Sequence, residues 1–159
     1  MDQLTKLATP VAEKLRARGE TIAVSESSVA GLISAALVAV PGASDYFLGG
    51  ATIYTHRARQ QLLGMDRNAL EGIRPATKAY ALLCARTMQQ RLGSTWALAE
   101  TGATGPSANS YMDPPGTAWI AIVGPRETTL RINTGSNDRE TNMWTFAQRA
   151  LEGLNTLLS

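Results

Sequence analysis

The feature that most constrains this fold is an apolar segment that runs directly into a polar turn and then into a helix. Thr21-Ile22-Ala23-Val24 predicts a short buried strand, residues 25–28 are hydroxyl-rich, and residues 32–40 follow a helical apolar pattern. Such a unit points the free N–H groups of the helix start toward one edge, where a ligand can accept hydrogen bonds from them. The unit therefore predicts an α/β protein whose working centre is the turn from Glu26 to Gly31.

The rest of the chain continues the alternation of strands and helices. Strands are predicted at 46–55, 96–99, 117–123 and 128–133, and helices at about 3–18, 76–92 and 138–158, with a shorter helix through Leu62 and Leu63. Gly19 and Gly64 are expected to end helices, and Asp138 is expected to cap the last one. We therefore expect residues 1–159 to form a single α/β domain in which helices cover a mixed sheet.

Composition argues against several classes of function. The formal net charge is +2 without a run of Lys or Arg, and neutralising the phosphates of a nucleic acid needs a clustered basic face. A single cysteine, Cys84, excludes an internal disulfide, and a single histidine, His56, excludes a His-rich metal site. No apolar stretch is long enough to span a bilayer, so we expect no membrane association and a cytoplasmic location.

Three polar loops follow predicted strands, at residues 25–31, 54–59 and 101–106. Because α/β proteins bind ligands at the carboxyl ends of their strands, we expect these loops to gather at one edge of the sheet. The first brings two hydroxyls to a helix start, where an oxyanion or a phosphate is stabilised. The second brings Tyr54 and Arg59, which can bind phosphate or orient a nucleophile, and the third is rich in glycine, so its backbone can approach a ligand closely.

Each loop also has a purely structural interpretation. Ser27 or Ser28 would serve only as a helix cap, which is the usual role of serine at a helix start. The second loop would be a solvated basic helix face. The third would be a tight turn, since it lacks the lysine of a phosphate-binding P-loop and does not fit the dinucleotide fingerprint. Spacing alone leaves these alternatives open.

Six short motifs in a fixed order add to this interpretation. Residues 25–31 resemble an Ala-Glu-Ser-Cys-Thr-Gly-Gly segment, residues 49–59 a Gly-Gly-x-x-x-Tyr-x-x-x-Ala-Lys segment, and residues 101–106 a Thr-Gly-x-x-Gly-Pro segment. Three shorter matches lie at 41–44, 114–119 and 137–139. By these motifs the chain resembles, over nearly its whole length, the C-terminal domain of the competence/damage-inducible protein CinA, a family that includes stand-alone nicotinamide mononucleotide amidohydrolases.

The resemblance implies a three-layer αβα sandwich with a mixed sheet that assembles as a homo-oligomer. It also implies hydrolysis of the carboxamide of nicotinamide mononucleotide to nicotinate mononucleotide and ammonia, without a metal or an organic cofactor. By the same resemblance Ser27 is the nucleophile, Tyr54 and Arg59 activate or orient it, and Thr101 is a further catalytic residue. The matched segments also supply the residues expected to bind substrate, which are Glu26, Ser28, Gly31, Gly102, Ala103, Gly105 and Arg139.

Four departures from the family pattern fall on this expected site. Arg59 stands where the family has lysine, and a guanidinium cannot act as a general base because it does not lose its proton. Its fixed charge can still hold a phosphate or stabilise an anionic nucleophile. The other departures are Val29-Ala30 for Thr-Gly, Ser107-Ala108 for Gly-Gly, and Met143 for a second arginine.

Three functions are consistent with these residues. The first is an amidohydrolase that acts on nicotinamide mononucleotide or a related amide, with Ser27 as nucleophile and His56 as a candidate substitute base. The second is a catalytically inactive member that keeps the pocket as a nucleotide-binding or regulatory module. The third is a structural oligomerisation domain. The retained Ser27, Tyr54 and Thr101 favour the first, and Arg59, Val29 and Met143 favour the second.

Overall fold

A computed structural model describes all residues from 1 to 159. The helices are α1 (Asp2–Arg18), α2 (Leu32–Val38), α3 (His56–Leu63), α4 (Lys78–Leu92) and α5 (Arg139–Leu157), and the strands are β1 (Ile22–Glu26), β2 (Phe47–Thr52), β3 (Trp96–Ala103), β4 (Thr117–Val123) and β5 (Thr128–Asn133). Two short 3-10 turns lie at Ala43–Asp45 and Asn68–Leu70. No helix has both the length and the apolar composition needed to cross a membrane.

The five strands form one mixed sheet in the order β2-β1-β3-β4-β5. β1 pairs in parallel with both β2 and β3, whereas β4 pairs antiparallel with β3 and with β5. The carboxyl ends of β1, β2 and β3 therefore lie together at one edge of the sheet. This confirms the expectation that the three polar segments that follow these strands gather there.

Alternating side chains on the strands build two separate apolar cores. Val24 and Leu98 face one side of the sheet, where they pack with residues of α1, α2 and α5. Ala23 and Ala97 face the other side, where they pack with residues of α4 and with Leu63 of α3. Because helices cover both faces, the domain is a three-layer αβα sandwich, and the expected fold class is confirmed.

The predicted helix ends are largely those observed. Gly19 and Gly64 adopt the left-handed conformation at the ends of α1 and α3. The carboxylate of Asp138 accepts a hydrogen bond from the backbone N–H of Thr141, 2.7 Å away, and so caps α5. These caps depend on local chemistry only, which is why sequence patterns locate them.

All three loops are shorter than predicted, the first because β1 continues to Glu26. β3 continues to Ala103 because Thr101, Gly102 and Ala103 pair with β4, so only Thr104 to Pro106 remains as a turn. Thr55 accepts a hydrogen bond from the N–H of Ala58 and starts α3, so Arg59 lies on a helix rather than in a loop. In the second and third loops a tertiary or capping interaction extends a regular element into a polar segment.

Candidate functional site at the carboxyl edge of the sheet

Two adjacent cavities lie where the three segments meet. The first, here called the Ser27 pocket, has a volume of about 330 Å³ and is lined by Ser27, Tyr54, Arg59, Tyr80 and Tyr111, among others. The second, here called the Gly105 pocket, has a volume of about 280 Å³, and its lining includes Ser28, Tyr54, Thr104, Gly105 and Arg139. Tyr54 lines both cavities, so its side chain stands between them.

The carboxylate of Glu26 fixes the end of the turn that follows β1, where α2 begins. One of its oxygens accepts a hydrogen bond from the N–H of Ile33 at 2.7 Å, and the other accepts from the N–H and the hydroxyl of Ser34 at 3.1 and 2.6 Å. Glu26 is 1% exposed, so these bonds are shielded from water. The carboxylate caps α2, and no serine side chain does so. The interpretation of Ser27 or Ser28 as the helix cap is therefore wrong.

A second carboxylate, Glu100 at the end of β3, holds the remainder of the turn. One oxygen accepts from the N–H groups of Ser27 and Val29, at 3.0 and 3.1 Å, and the other accepts from the hydroxyl of Ser28. Ser28 is thereby fixed as a structural residue. The hydroxyl of Ser27, by contrast, makes no hydrogen bond within the chain, and Ser27 is partly exposed in its pocket.

Val29 and Ala30, which depart from the Thr-Gly of the family pattern, are accommodated by the turn in two different ways. Val29 is fully buried in the larger core, where its side chain replaces a polar threonine with apolar packing. Ala30 adopts a φ of 54°, in the left-handed region that glycine occupies without strain. The turn therefore keeps the backbone shape for which a glycine is suited, at a cost of about 1 kcal/mol.

The two buried carboxyl groups have perturbed acidities. Burial raises the pKa of Glu26, and the hydrogen bonds from Ser34 and Ile33 oppose this effect. Burial also raises the pKa of Glu100, where the bonds from Ser28, Ser27 and Val29 oppose it and the charge of Glu26 adds to it. If Glu100 is protonated, the Ser28 hydroxyl can reverse and accept, so no hydrogen bond is lost. When Glu26 and Glu100 together carry one proton, we therefore expect that proton to reside on Glu100.

This arrangement predicts a pH dependence of stability. A carboxyl whose pKa is raised by folding binds its proton more tightly in the folded state. Its stabilising contribution is thus complete below the ordinary value of 4.5 and is lost as the pH rises through the raised value. The expected slope is at most about 1.4 kcal/mol per pH unit for each carboxyl.

Urea unfolding of the parent and of Glu100→Gln between pH 4.5 and pH 8 measures this effect. We expect the free energy of unfolding of the parent to fall more steeply with pH than that of the variant, because the glutamine side chain does not titrate. Asp113 and Asp138 have lowered pKa values, so their contribution is lost only as the pH falls through values below 3.8, outside this window. Equal slopes for the two proteins would contradict the assignment.

Tyr54 and Arg139 lie 85 residues apart in the chain, and their side chains are hydrogen-bonded to each other at the two pockets. One guanidinium nitrogen of Arg139 donates to the hydroxyl of Tyr54 at 2.8 Å, and another donates to the carbonyl of Gly105 at 2.6 Å. Gly105 has a φ of 110°, and a Cβ there would lie 2.7 Å from the carbonyl oxygen of Asn137. A glycine is therefore required at this position to bring the turn against the start of α5.

Arg59 is engaged with the neighbouring turn of its own helix. Its Nη2 lies 2.8 Å from Nδ1 of His56, and since a guanidinium only donates, Nδ1 is the acceptor and the ring proton resides on Nε2. In this arrangement His56 has no free lone pair, which argues against its role as a substitute base. The guanidinium carbon also lies 5.9 Å from the centre of the Tyr80 ring. Burial raises the pKa of Tyr80, so that phenol stays neutral.

The outer wall of both pockets is the segment from Ser107 to Pro115. Arg74 forms a two-pronged ion pair with Asp113, at 2.8 and 3.0 Å, and lies 5.2 Å from the ring centre of Tyr111. The amide of Asn109 donates to the same carboxylate at 2.9 Å. This ion pair holds Tyr111 against the Ser27 pocket, although the segment has no regular secondary structure.

The structure separates the expected site residues into two groups. Eight line one or both pockets, namely Ser27, Ser28, Tyr54, Arg59, Gly102, Ala103, Gly105 and Arg139. Glu26, Gly31 and Thr101 line neither: Glu26 and Gly31 shape the start of α2, and the buried hydroxyl of Thr101 accepts from the N–H of Ala76 at 3.1 Å. Sequence reasoning did not single out Glu100, Thr104, Tyr80 or Tyr111, and its only signal for Thr104 was its place in the Gly-rich motif.

Comparison with known proteins finds relatives over nearly the whole chain. The family model described as CinA C-terminal domain matches residues 4–158. A CinA-like protein of Synechocystis sp. is 34% identical over 95% of this chain, and one of Salinibacter ruber is 35% identical over 96% of it. The chain covers only 36% and 37% of these two proteins, so it spans about a third of the length of the curated relatives it matches.

Solved structures show the same fold. A crystal structure of a competence-damaged protein (CinA) superfamily protein from Klebsiella pneumoniae has a TM-score of 0.90 and 24% identity, and covers 98% of this chain and 97% of that one. The competence/damage-inducible protein from Agrobacterium tumefaciens has a TM-score of 0.89 and 25% identity, with coverage of 98% and 96%. The mixed sheet and its two helical layers are therefore shared with both.

Proposed function

The chain belongs to the CinA C-terminal domain family, and from that premise we propose that it hydrolyses the carboxamide of nicotinamide mononucleotide. The observation that carries the proposal is the contrast between two adjacent serines. Ser28 is bonded to a buried carboxylate, whereas the hydroxyl of Ser27 is unbonded and lines a pocket together with Tyr54 and Arg59. A free hydroxyl on a rigid turn is what a nucleophile requires.

In the proposed reaction the Ser27 oxygen forms a bond to the carboxamide carbon. The electron pair of the C=O bond moves onto its oxygen, where a backbone N–H can stabilise it. The N–H of Ser28 is a candidate donor, because it donates to no backbone carbonyl of the chain. The C–N bond then breaks, ammonia leaves, and water hydrolyses the resulting acyl-serine to the carboxylate.

The proposed relay for the proton of the Ser27 hydroxyl is the phenol oxygen of Tyr54, which accepts this proton and in exchange gives up its own. Arg139 donates a hydrogen bond to this oxygen at 2.8 Å, and a guanidinium donor stabilises negative charge on its acceptor. Tyr54 would then pass the proton to the leaving nitrogen. Arg59 contributes a fixed positive charge to the pocket and takes no proton.

A second candidate function is a nucleotide-binding module without turnover. One specific observation favours it: Arg59 stands at the family's lysine position, and it also occupies the one lone pair through which neutral His56 could act as a base. Only Tyr54 then remains as an acceptor. If Tyr54 does not take the proton, the site binds its ligand without hydrolysing it.

Assay of ammonia and nicotinate mononucleotide formation from nicotinamide mononucleotide separates the two candidates. We expect turnover by the parent, and a change of no more than about 10-fold in kcat for Arg59→Lys, because the positive charge is kept. Absence of turnover in the parent together with a gain in Arg59→Lys would overturn the hydrolase proposal and indicate a dormant site. Calorimetric binding of the nucleotide without turnover would support the binding module.

A further inference from the structure

We propose that Glu100 is a positioning residue for Ser27 that works in its protonated form, so that Ser27 reacts fastest while Glu100 is neutral. The inference rests on the proposed function for the role of Ser27 as a nucleophile. Glu100 lies outside the six matched motifs and lines neither pocket. Its influence on the reaction is therefore exerted through the turn that carries Ser27.

Glu100 is bonded to three consecutive residues of that turn. Its Oε2 accepts from the N–H groups of Ser27 and Val29 at 3.0 and 3.1 Å, and its Oε1 accepts from the hydroxyl of Ser28. The N–H of Ser28, between the two bonded N–H groups, donates to no backbone carbonyl. Glu100 thus fixes the backbone on which the nucleophile stands and leaves free the one N–H proposed to stabilise the oxyanion.

The two oxygens of Glu100 differ in their ability to carry a proton. Oε2 faces two backbone N–H groups, which can only donate, so this oxygen has to remain an acceptor. Oε1 faces the hydroxyl of Ser28, which can rotate and accept instead. A proton on Oε1 therefore costs no hydrogen bond, and the neutral carboxyl holds the turn in the same geometry as the carboxylate.

The surroundings of Glu100 contain no cation that would keep it ionised. Glu26 and Glu100 are the only buried residues with a carboxyl or a cationic side chain. Burial raises the pKa of Glu100, and the charge of Glu26 raises it further, while the hydrogen bonds from the turn oppose both effects. Arg139 at the start of α5 does not compensate, because its guanidinium donates to Tyr54 and to Gly105.

The other elements that pack around Glu100 contribute no charge. Glu100 shares a face of the sheet with Leu98, and α1, α2 and α5 cover that face with apolar residues. Ile120 is its partner on β4. Tyr46, a titratable residue in the same core, donates its proton to the carbonyl of Leu37, and burial raises its pKa, so it stays neutral.

The reaction itself favours a neutral Glu100. Transfer of the proton from Ser27 and attack on the carboxamide place negative charge first on the serine oxygen and then on the carbonyl oxygen. An ionised Glu100 bonded to the same turn repels both charges, and the repulsion is weakly screened because the carboxyl is buried. As the pH rises from the ordinary value of 4.5 through the raised one, the reactivity of Ser27 should therefore fall by at least about 10-fold relative to a protein with a permanently neutral residue 100.

Covalent labelling by a fluorophosphonate tests this role, because the serine oxygen displaces fluoride from phosphorus whether or not the nucleotide is hydrolysed. Mass spectrometry gives the rate of labelling at Ser27 from pH 5 to pH 9 in the parent and in Glu100→Gln. Glutamine stays neutral, accepts from both N–H groups and can donate to the Ser28 hydroxyl. We expect the ratio of the parent rate to the variant rate to fall at least about 10-fold over this range, and the ratio cancels the titration of Tyr54.

Glu71→Gln is the matched control, because Glu71 is exposed and its side chain has no partner. Its labelling rate should stay within about 2-fold of the parent rate at every pH, since an exposed charge is screened. A constant ratio between parent and Glu100→Gln, or no labelling of Ser27 in the parent at any pH, would overturn the role of Glu100. The expected pH dependence of labelling without ammonia release from nicotinamide mononucleotide would support that role while the hydrolase proposal fails.

Discussion

Ser27→Ala is expected to abolish turnover and leave stability unchanged. Ser28→Ala is expected to lower stability and to retain most of the turnover. Loss of a catalytic serine lowers kcat by at least about 10³-fold in enzymes of this type. The Ser27 hydroxyl makes no hydrogen bond, so its removal should change the free energy of unfolding by no more than about 0.5 kcal/mol. Ser28 is bonded to buried Glu100, and its removal should cost about 1–2 kcal/mol.

Ammonia release from nicotinamide mononucleotide and urea unfolding measure the two effects on the same preparations. The pair is a sharp comparison because the substitutions are identical and adjacent in the chain. Substantial activity in Ser27→Ala would exclude Ser27 as the nucleophile. A greater loss of kcat in Ser28→Ala than in Ser27→Ala would indicate that the roles of the two serines are reversed.

Glu26→Ala is expected to have the largest effect on stability of the changes considered. It removes the acceptors of three hydrogen bonds, from two backbone N–H groups at the start of α2 and from the hydroxyl of Ser34. Bonds to a charged group contribute about 1.5–3 kcal/mol each, and relief of the desolvation cost of the buried Glu26 carboxylate offsets part of the loss. The net cost should be about 3 kcal/mol, or a fall in Tm of roughly 6–12 °C.

Thermal unfolding of Glu26→Ala beside Glu71→Ala checks this expectation. Glu71 is exposed, and its side chain makes no hydrogen bond or ion pair, so its removal should shift Tm by no more than about 2 °C. A loss below about 1 kcal/mol in Glu26→Ala would show that α2 is held by packing rather than by its capping carboxylate.

Local patterns were sufficient to predict most of the fold. Periodicity located five strands and five helices, and the left-handed glycines at 19 and 64 ended helices as expected. The end of β3 could not be predicted, because Gly102 is a poor strand residue in isolation. Its place in the strand is set by β4, against which a Cβ at Gly102 would lie 2.5 Å from the carbonyl oxygen of Thr117.

The site was predictable only where it depends on neighbours in sequence. Ser27, Tyr54, Arg59 and Arg139 were singled out from their motifs, and they line the two pockets. The carboxylate that holds the serine turn lies 73 residues beyond Ser27, so no local pattern reports it. Without that contact, spacing could not distinguish a capping serine from a free one.

The Arg74–Asp113 ion pair has a consequence for how this site can diversify. The serine turn and the sheet beneath it are locked by buried bonds, whereas the wall that carries Tyr111 is attached through an exposed ion pair and a few polar contacts. Substitutions in the wall therefore alter the shape presented to a ligand at little cost to the core. Exchange of residues 107–115 can therefore reshape the two pockets while the serine turn beneath them keeps its geometry.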